Sequence, residues 1–393
     1  MAQPTNTSIL LVAGDVSGDI NTARLAKLLR ERHPDWTLHA VGGEHLGAEA
    51  TKSPGGVWIG NTGNLSAIGI NAALKVIPRS AALGLRVRKF VRVNRVDAVV
   101  ACDWGAFNCR QLDFFKEVDV PVLYYFPPSS WSRSGRGGLS IATMVNRVAT
   151  PFEWSAQRLT NAGCKAEWVG HPMLEVKYDA GKRAALRKEF GIADHEKLVA
   201  LFPGSRPQEI KCLAPRLAQV AERLGGKGGI RFIVAAPGHR LDLARRYFPD
   251  SIPVIPDRSS DILFAADAAV VKSGTATLEA AVMGTPEVIV YDFPWILRLE
   301  WMLLWMWKKI PYIGMPNILL QRPAVTELLG FQCRPELIAQ EVTALLENEA
   351  TRKKMQEDYQ EIRVCLGAAL PKPATLRTAE MLEELLAERS SKS

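Results

Sequence analysis

The sequence has no uninterrupted apolar run of the ~18 residues that a membrane-spanning helix requires. Its richest stretch, Trp295 to Ile310, is broken by Arg298 and Glu300, which excludes a polytopic membrane protein. Cysteine is scarce: six among 393 residues, at 102, 109, 164, 212, 333 and 365, with no CxxC pair and no histidine at metal spacing. A structural zinc site and a disulfide framework are both disfavoured, so no metal is expected. No basic segment precedes the short apolar run Ile9–Ala13, which leads directly into Gly14 and Asp15. That run predicts a first β-strand, not a signal peptide, and with it a cytoplasmic location.

Acidic residues are missing from two long windows, Glu49 to Asp97 and Val120 to Pro151. The first carries Lys75, Arg79, Arg86, Arg88, Lys89, Arg92 and Arg95 between apolar residues such as Leu74, Leu83, Leu85, Val87, Phe90 and Val91, and the second carries Arg133, Arg136 and Arg147. The whole chain has 49 basic and 41 acidic residues, a net charge of +8, so the positive surface belongs to the N-terminal half. Anionic lipid headgroups or phosphorylated substrates fit such a face, at ~1 kcal/mol per basic residue near a membrane. The plainer reading is a solvated helix surface. No nucleic-acid-binding motif accompanies the charge, so nucleic acid is not expected as a partner. A second membrane-like feature is Trp295 to Lys309, which holds four of the ten tryptophans and ends in two lysines. Trp301 and Trp305 lie one helical turn apart, which suits a bilayer interface or, equally, a core helix or a homodimer contact.

What is present predicts an α/β fold. Apolar residues make up 47% of the chain and charged residues 23%, enough for a packed core, and the length suits two domains of ~100–200 residues. Ile9–Ala13, Thr37–Val41, Ala98–Cys102 and Val120–Phe126 are apolar runs without polar alternation, separated by helical spacings. Such strands form a parallel sheet covered on both faces. The pattern restarts at Leu198–Phe202, Arg231–Ala235, Ala268–Lys272 and Glu287–Tyr291. The predicted architecture is two Rossmann-like domains facing a cleft, residues 1–172 and 173–366. A terminal helix in 367–393 is expected to pack back on the first domain.

Ligands of doubly wound sheets bind at the carboxyl ends of the strands, and four loops there carry suggestive chemistry. Gly14-Asp-Val-Ser-Gly-Asp19 opens a helix with Asp15, Ser17 and Asp19. It is not a dinucleotide fingerprint, and its carboxylates suit sugar hydroxyls better than a pyrophosphate; Ser17 or Asp19 also suits a helix cap. Asp103 follows the strand Ala98–Cys102 directly, where a general base or a sugar-hydroxyl acceptor would sit. Phe202-Pro-Gly-Ser-Arg206 offers backbone amides at Gly204 and Ser205 with the Arg206 guanidinium, a plausible diphosphate clamp. Lys272-Ser-Gly-Thr-Ala-Thr-Leu-Glu279 reads as a second anion cradle through Ser273, Gly274 and Thr275, with Glu279 placed to accept ribose hydroxyls. It is not a P-loop, since no GK[ST] follows a glycine at the required spacing. From the residues alone, a nucleotide-sugar glycosyltransferase and a nucleotide-sugar epimerase fit almost equally well.

The same loops, in order, resemble the lipid-A-disaccharide synthase family. The likeness runs through Leu11–Asp19, Ser66–Gly69, Tyr125–Trp131, Val169–Met173, Phe202–Arg206, Ser273–Glu279 and Met315–Leu319. It implies an inverting, metal-independent glycosyltransferase with no cofactor. The substrates implied are a UDP-linked 2,3-diacylglucosamine donor and a 2,3-diacylglucosamine 1-phosphate acceptor, joined at the cytoplasmic face of the inner membrane by a peripheral enzyme. It further implies that Ser17 and Asp19 lie on the acceptor or catalytic side, that Arg206, Ser273, Thr275, Glu279 and Asn317 contact the UDP portion, and that His171 sits at the hinge facing the donor. Three departures stand out. Asp15 replaces the family's glutamate, Ala106 replaces the aspartate favoured as base, and Trp131-Ser-Arg-Ser134 replaces Trp-Ala-Trp-Arg. Asp103, then Asp15, becomes the candidate base. A transferase with a different lipid acceptor, an epimerase, and a catalytically silent binding homologue remain as alternatives.

Overall fold

Strands made of Val, Ile, Leu and Ala with no polar face can be stable only when covered on both sides, and the computed structural model shows this arrangement twice. The structure describes residues 6–63, 70–132, 139–225, 228–292 and 311–391, without the side chains of residues 70–76 and 180. The chain divides into two compact units, Met1–Glu175 with Leu366–Ser393, and Val176–Cys365. The expectations placed on Ser66–Gly69, Arg133, Ser134, Arg136, Trp301 and Trp305 lie outside the described residues, as does the side chain of Lys75.

The first unit contains β1 (Ser8–Ala13), α1 (Val16–Arg32), β2 (Thr37–Gly42), α2 (Glu44–Ala50), β3 (Trp58–Asn61), α3 (Ile70–Val93), β4 (Ala98–Cys102), α4 (Gly105–Glu117), β5 (Val122–Tyr125), β6 (Arg147–Thr150), α5 (Glu153–Asn161) and β7 (Ala166–Trp168). Its sheet runs β3-β2-β1-β4-β5-β6-β7, every pair parallel. Alternate residues of β1 enter different cores. Ile9 and Leu11 pack with Leu25 and Leu29 of α1 and with Met381, Leu382 and Leu385 of the terminal helix Ala374–Ser390. Leu10 and Val12 pack with Leu83 and Val87 of α3 and with Phe107, Leu112 and Phe115 of α4.

The terminal helix is also tied down by ions. Arg377 forms a two-pronged bridge to Glu167, Arg147 pairs with Glu388 at 2.7 Å, and Glu383 accepts from Arg32 and His33 at 2.9 and 2.8 Å.

The second unit repeats the winding with α6 (Ala180–Glu189), β8 (Lys197–Phe202), α7 (Pro207–Gly225), β9 (Ile230–Ala236), α8 (Leu241–Arg245), β10 (Val254–Pro256), α9 (Ser259–Ala265), β11 (Ala268–Lys272), α10 (Thr275–Met283), β12 (Glu287–Tyr291) and β13 (Glu327–Leu329). The sheet order is β10-β9-β8-β11-β12-β13, again all parallel. In both units the strand order reverses beside the first strand, between β1 and β4 and between β8 and β11. Those two reversal points are where ligands of doubly wound sheets bind.

Among the described residues no helix is long and apolar enough to cross a membrane.

Candidate active site

At the reversal point of the first sheet, Ala13 and Cys102 are register partners, so the loops leaving β1 and β4 emerge side by side. Asp15 is the N-cap of α1. One carboxylate oxygen accepts the Gly18 amide at 2.7 Å and the Ser17 hydroxyl at 3.2 Å. Ser17 is therefore oriented by Asp15. Across from it, Asp103 and Trp104 both hold left-handed backbone angles, φ +46° and +42°, which non-glycine residues rarely adopt. Two contacts keep Asp103 there. Its carbonyl accepts from the Tyr124 hydroxyl at 2.6 Å and from the Asn108 amide at 3.0 Å. Gly14 is required by the same turn, because a Cβ there would lie 1.9 Å from the Trp104 ring. Asn108 and Tyr124 went unassigned in the sequence reading; a short polar residue four positions into a helix gives no hint that it grips the turn behind it.

Burial pushes the Asp103 carboxyl up to about 7, with the charge of Asp15 and a hydrogen bond between the two acids adding to the rise. A carboxylate that gains and loses its proton near neutrality suits general-base work.

Asp19 has another task. Its two oxygens accept the backbone amides of Leu46 and His45, both at 3.1 Å, so it caps α2 from a neighbouring helix. It is only 3% exposed, and burial raises its pKa against those hydrogen bonds. Asp19, expected on the acceptor or catalytic side, is thus engaged in holding the start of α2.

His171 lies in the first unit, buried against Phe126 with ring centroids 5.1 Å apart. Its Nδ1 accepts the Met173 amide at 3.1 Å, which places the proton on Nε2, and its own amide donates to the Leu366 carbonyl at 2.8 Å. Burial, then the charge of Arg24, lowers its pKa to about 3, so the ring is neutral near pH 7. It thereby ties together, within the first unit, the stretch before Glu175, where the chain leaves that unit, and Leu366, where it returns.

At the reversal point of the second sheet, Phe202 and Val271 are register partners and the loops after β8 and β11 emerge together. Their organiser is Glu209, which the sequence reading quoted but did not single out. Its Oε2 accepts the amides of Ser205 and Arg206, each at 3.1 Å, and its Oε1 accepts the Arg206 guanidinium at 3.1 Å and the Lys272 ammonium at 2.7 Å. Of the predicted clamp, the Ser205 and Arg206 amides are thus engaged by a carboxylate, while the Arg206 guanidinium stays partly exposed. Gly204 makes the turn possible: its φ is +112°, and a Cβ would come within 2.7 Å of the Glu209 side chain.

Around α10, Gly274 at φ +155° precedes an exposed Thr275. The buried Ser273 donates its hydroxyl to the Ile313 carbonyl at 2.8 Å, and Glu279 accepts from the hydroxyls of Ser259, at 2.9 Å, and Ser260. Ser273 is thus a brace more than an open donor. Asn317, expected to contact the UDP portion, is engaged within its own unit. It is 1% exposed, its Nδ2 donates to the Val325 carbonyl and to Glu327 at 2.8 Å each, and its Oδ1 accepts the Val325 amide at 2.9 Å. That amide holds the chain entering β13 and has no donor hydrogen left for a nucleotide.

On α3, Arg88, expected on the membrane or acceptor side, turns toward α4. It donates to the Gln111 side chain at 3.0 Å and the Arg110 carbonyl at 2.9 Å and covers the Phe114 ring, so it joins α3 to α4. Arg86, Lys89 and Arg79 are exposed, and no ion pair to another described residue holds them. Leu85 and Val93 on the same helix are 68% and 71% exposed.

The model of a family described as lipid-A-disaccharide synthetase matches residues 9–369. The chain is 33% identical over 389 residues to the lipid-A-disaccharide synthase of Myxococcus xanthus, covering 96% of this chain and 97% of that protein. It is 32% identical over 379 residues to the enzyme of the same name from Anaeromyxobacter dehalogenans, covering 95% and 96%. Among solved structures, UDP-GlcNAc 2-epimerase from Neisseria meningitidis bound to UDP-GlcNAc shares the fold, with a TM-score of 0.63, 12% identity and coverage of 97% and 100%.

Proposed function

From the premise that the chain belongs to the lipid-A-disaccharide synthase family of glycosyltransferases, we propose that it transfers 2,3-diacylglucosamine from UDP to 2,3-diacylglucosamine 1-phosphate with inversion. Asp103 removes the proton of the acceptor hydroxyl as that oxygen attacks the anomeric carbon, and the bond from that carbon to the diphosphate breaks. Arg206 and Lys272 take up the charge that develops on the departing UDP, as preorganised cations do. These two fixed positive groups support a reaction without a divalent ion.

What carries this reading is the placement of Asp103, held in a left-handed turn at the ligand-binding edge of its sheet, where burial and the neighbouring Asp15 push its pKa up. It also weighs against the silent-homologue alternative. Ala106 is exposed on α4, three residues beyond a carboxylate that can serve as base in its place. Family membership sets the epimerase alternative aside, because the structural likeness to epimerases is one of fold.

The acylated substrates call for access to a lipid surface. The outward face of α3, with Leu85 and Val93 beside Arg79, Arg86 and Lys89, supports peripheral attachment to the cytoplasmic face of the inner membrane.

The test is to incubate the chain with UDP-2,3-diacylglucosamine and 2,3-diacylglucosamine 1-phosphate and to follow UDP release in the presence of EDTA. Turnover is expected. UDP binding without turnover would reject these substrates. In the same assay Arg206→Ala should weaken UDP binding by about 1.5–3 kcal/mol, the range for a hydrogen bond to a charged group.

A further inference from the structure

Glu209 does more than start a helix. A glutamate at the third helical position that reaches back to the amide before the first turn is a familiar helix-starting device. Here the same carboxylate also binds the ammonium of Lys272, which comes from β11, a different strand. The side chains of Glu209 and Lys272 are only 9% and 12% exposed, and Lys272 is further covered by the Tyr291 ring at 5.3 Å. Among the described residues, one carboxylate therefore faces two cations, leaving a largely enclosed cluster with one unit of excess positive charge. Unbalanced charge in such a place is costly unless a partner completes it. The guanidinium of Arg206, 36% exposed, is the part of the cluster open to a ligand.

Resting on the donor reading above, we propose that Glu209 is a positioning residue that sets the Arg206 guanidinium and the Lys272 ammonium as a paired receptor for a nucleoside diphosphate, in place of the amides at the start of α7. The anion that balances the cluster is then the donor's diphosphate.

Among the described residues, the charged groups around Lys272 are few. Glu209 and Arg206 come from α7 and the turn before it. Tyr291 comes from β12, and Asp292 next to it is paired with Arg216 at 2.8 Å. Burial draws the Lys272 pKa down, Glu209 opposes that, and Arg206 adds to it. Without the carboxylate, burial and Arg206 act unopposed, and the ammonium loses its proton more readily.

UDP binding measured by calorimetry between about pH 7 and pH 8.5 tests this. The wild-type chain is expected to show a smaller pH dependence than Glu209→Gln. Glu209→Gln is expected to bind about tenfold more weakly near pH 7 and progressively more weakly as pH rises. Adding Lys272→Arg to Glu209→Gln should remove that slope, because a guanidinium does not deprotonate in this range. If the wild-type chain does not bind UDP, the donor reading itself fails and this inference with it. Wild-type binding with an unchanged Glu209→Gln affinity and profile would overturn the inference alone. So would a weakened Glu209→Gln without a pH slope, since the carboxylate would then only shape the turn. Should Glu209→Gln not fold, Lys272→Met in the otherwise intact chain decides: about tenfold weaker UDP binding supports the paired receptor, and unchanged affinity refutes it.

Discussion

Asp103 concentrates three costs in one residue: a left-handed backbone, partial burial, and a second carboxylate beside it. Strain and like charge of this kind persist where the surroundings over-determine them, here through Tyr124, Asn108 and the bare Gly14. If Asp103 is the base, kcat/KM should rise with pH through about 7 and level off above it. Stability should move the opposite way. The folded pKa lies above the ordinary carboxylate value of 3.8, so the stabilising contribution is full below that value and is lost as pH rises through about 7. Asp103→Asn should therefore abolish turnover, keep UDP binding, and melt at a higher temperature than the wild type at pH 8. A variant that melts lower at pH 8 would show that the carboxyl is not held against its charge. At this scale the sequence was legible only where chemistry follows a strand directly. Asp15, Asp103 and Arg206 could be picked out because strand ends are predictable. Asp19 and Asn317 carried the same polar signal, but their partners lie 26, 27 and 8–10 residues away, and no local pattern shows that a carboxylate caps another helix or that an amide is spent on a strand.

The strands were readable because an apolar run without alternation has few homes other than a doubly covered sheet, and Ile9–Ala13 and Ala98–Cys102 fill theirs. Helix α3 was readable as helix and as basic, but not by face. Charge alone cannot say that Arg88 turns to Gln111 and Phe114 while Arg86 and Lys89 point to solvent; that depends on where α4 packs. The division matters for attachment to lipid, since only the outward group adds attraction to an anionic surface. Leu85→Glu together with Arg86→Ala and Lys89→Ala should reduce sedimentation with vesicles containing anionic lipid and leave UDP affinity unchanged. Arg88→Ala should instead lower thermal stability with little effect on vesicle binding. Equal vesicle binding by the wild-type and triple-variant proteins would remove α3 from the membrane reading.

Across the whole molecule, one topology is used twice, each unit turning its reversal point into a charged turn of opposite sense: paired carboxyls in the first, paired cations around Glu209 in the second. The units differ in how the sheets are closed. The first is completed by a segment nearly two hundred residues away in sequence, the terminal helix, whose Met381, Leu382 and Leu385 are at most 4% exposed against α1 and β1. Burying side chains of that size is worth ~1.5–3 kcal/mol each, so the three together approach the whole stability of a typical domain, ~5–15 kcal/mol. The ion pairs that Arg377, Glu383 and Glu388 of the same helix make with Glu167, Arg32, His33 and Arg147 add less, because those sites are partly exposed. A chain ending at Lys372 should therefore lose hydrogen-exchange protection throughout β1, α1 and β4, while the amides of β8, β11 and α7, in the other unit, exchange as in the full chain. Because Arg206, Glu209 and Lys272 belong to that second unit, UDP affinity should survive the truncation and turnover should not. Full protection of α1 in the shortened chain would mean that the helix is an accessory and not part of the first core.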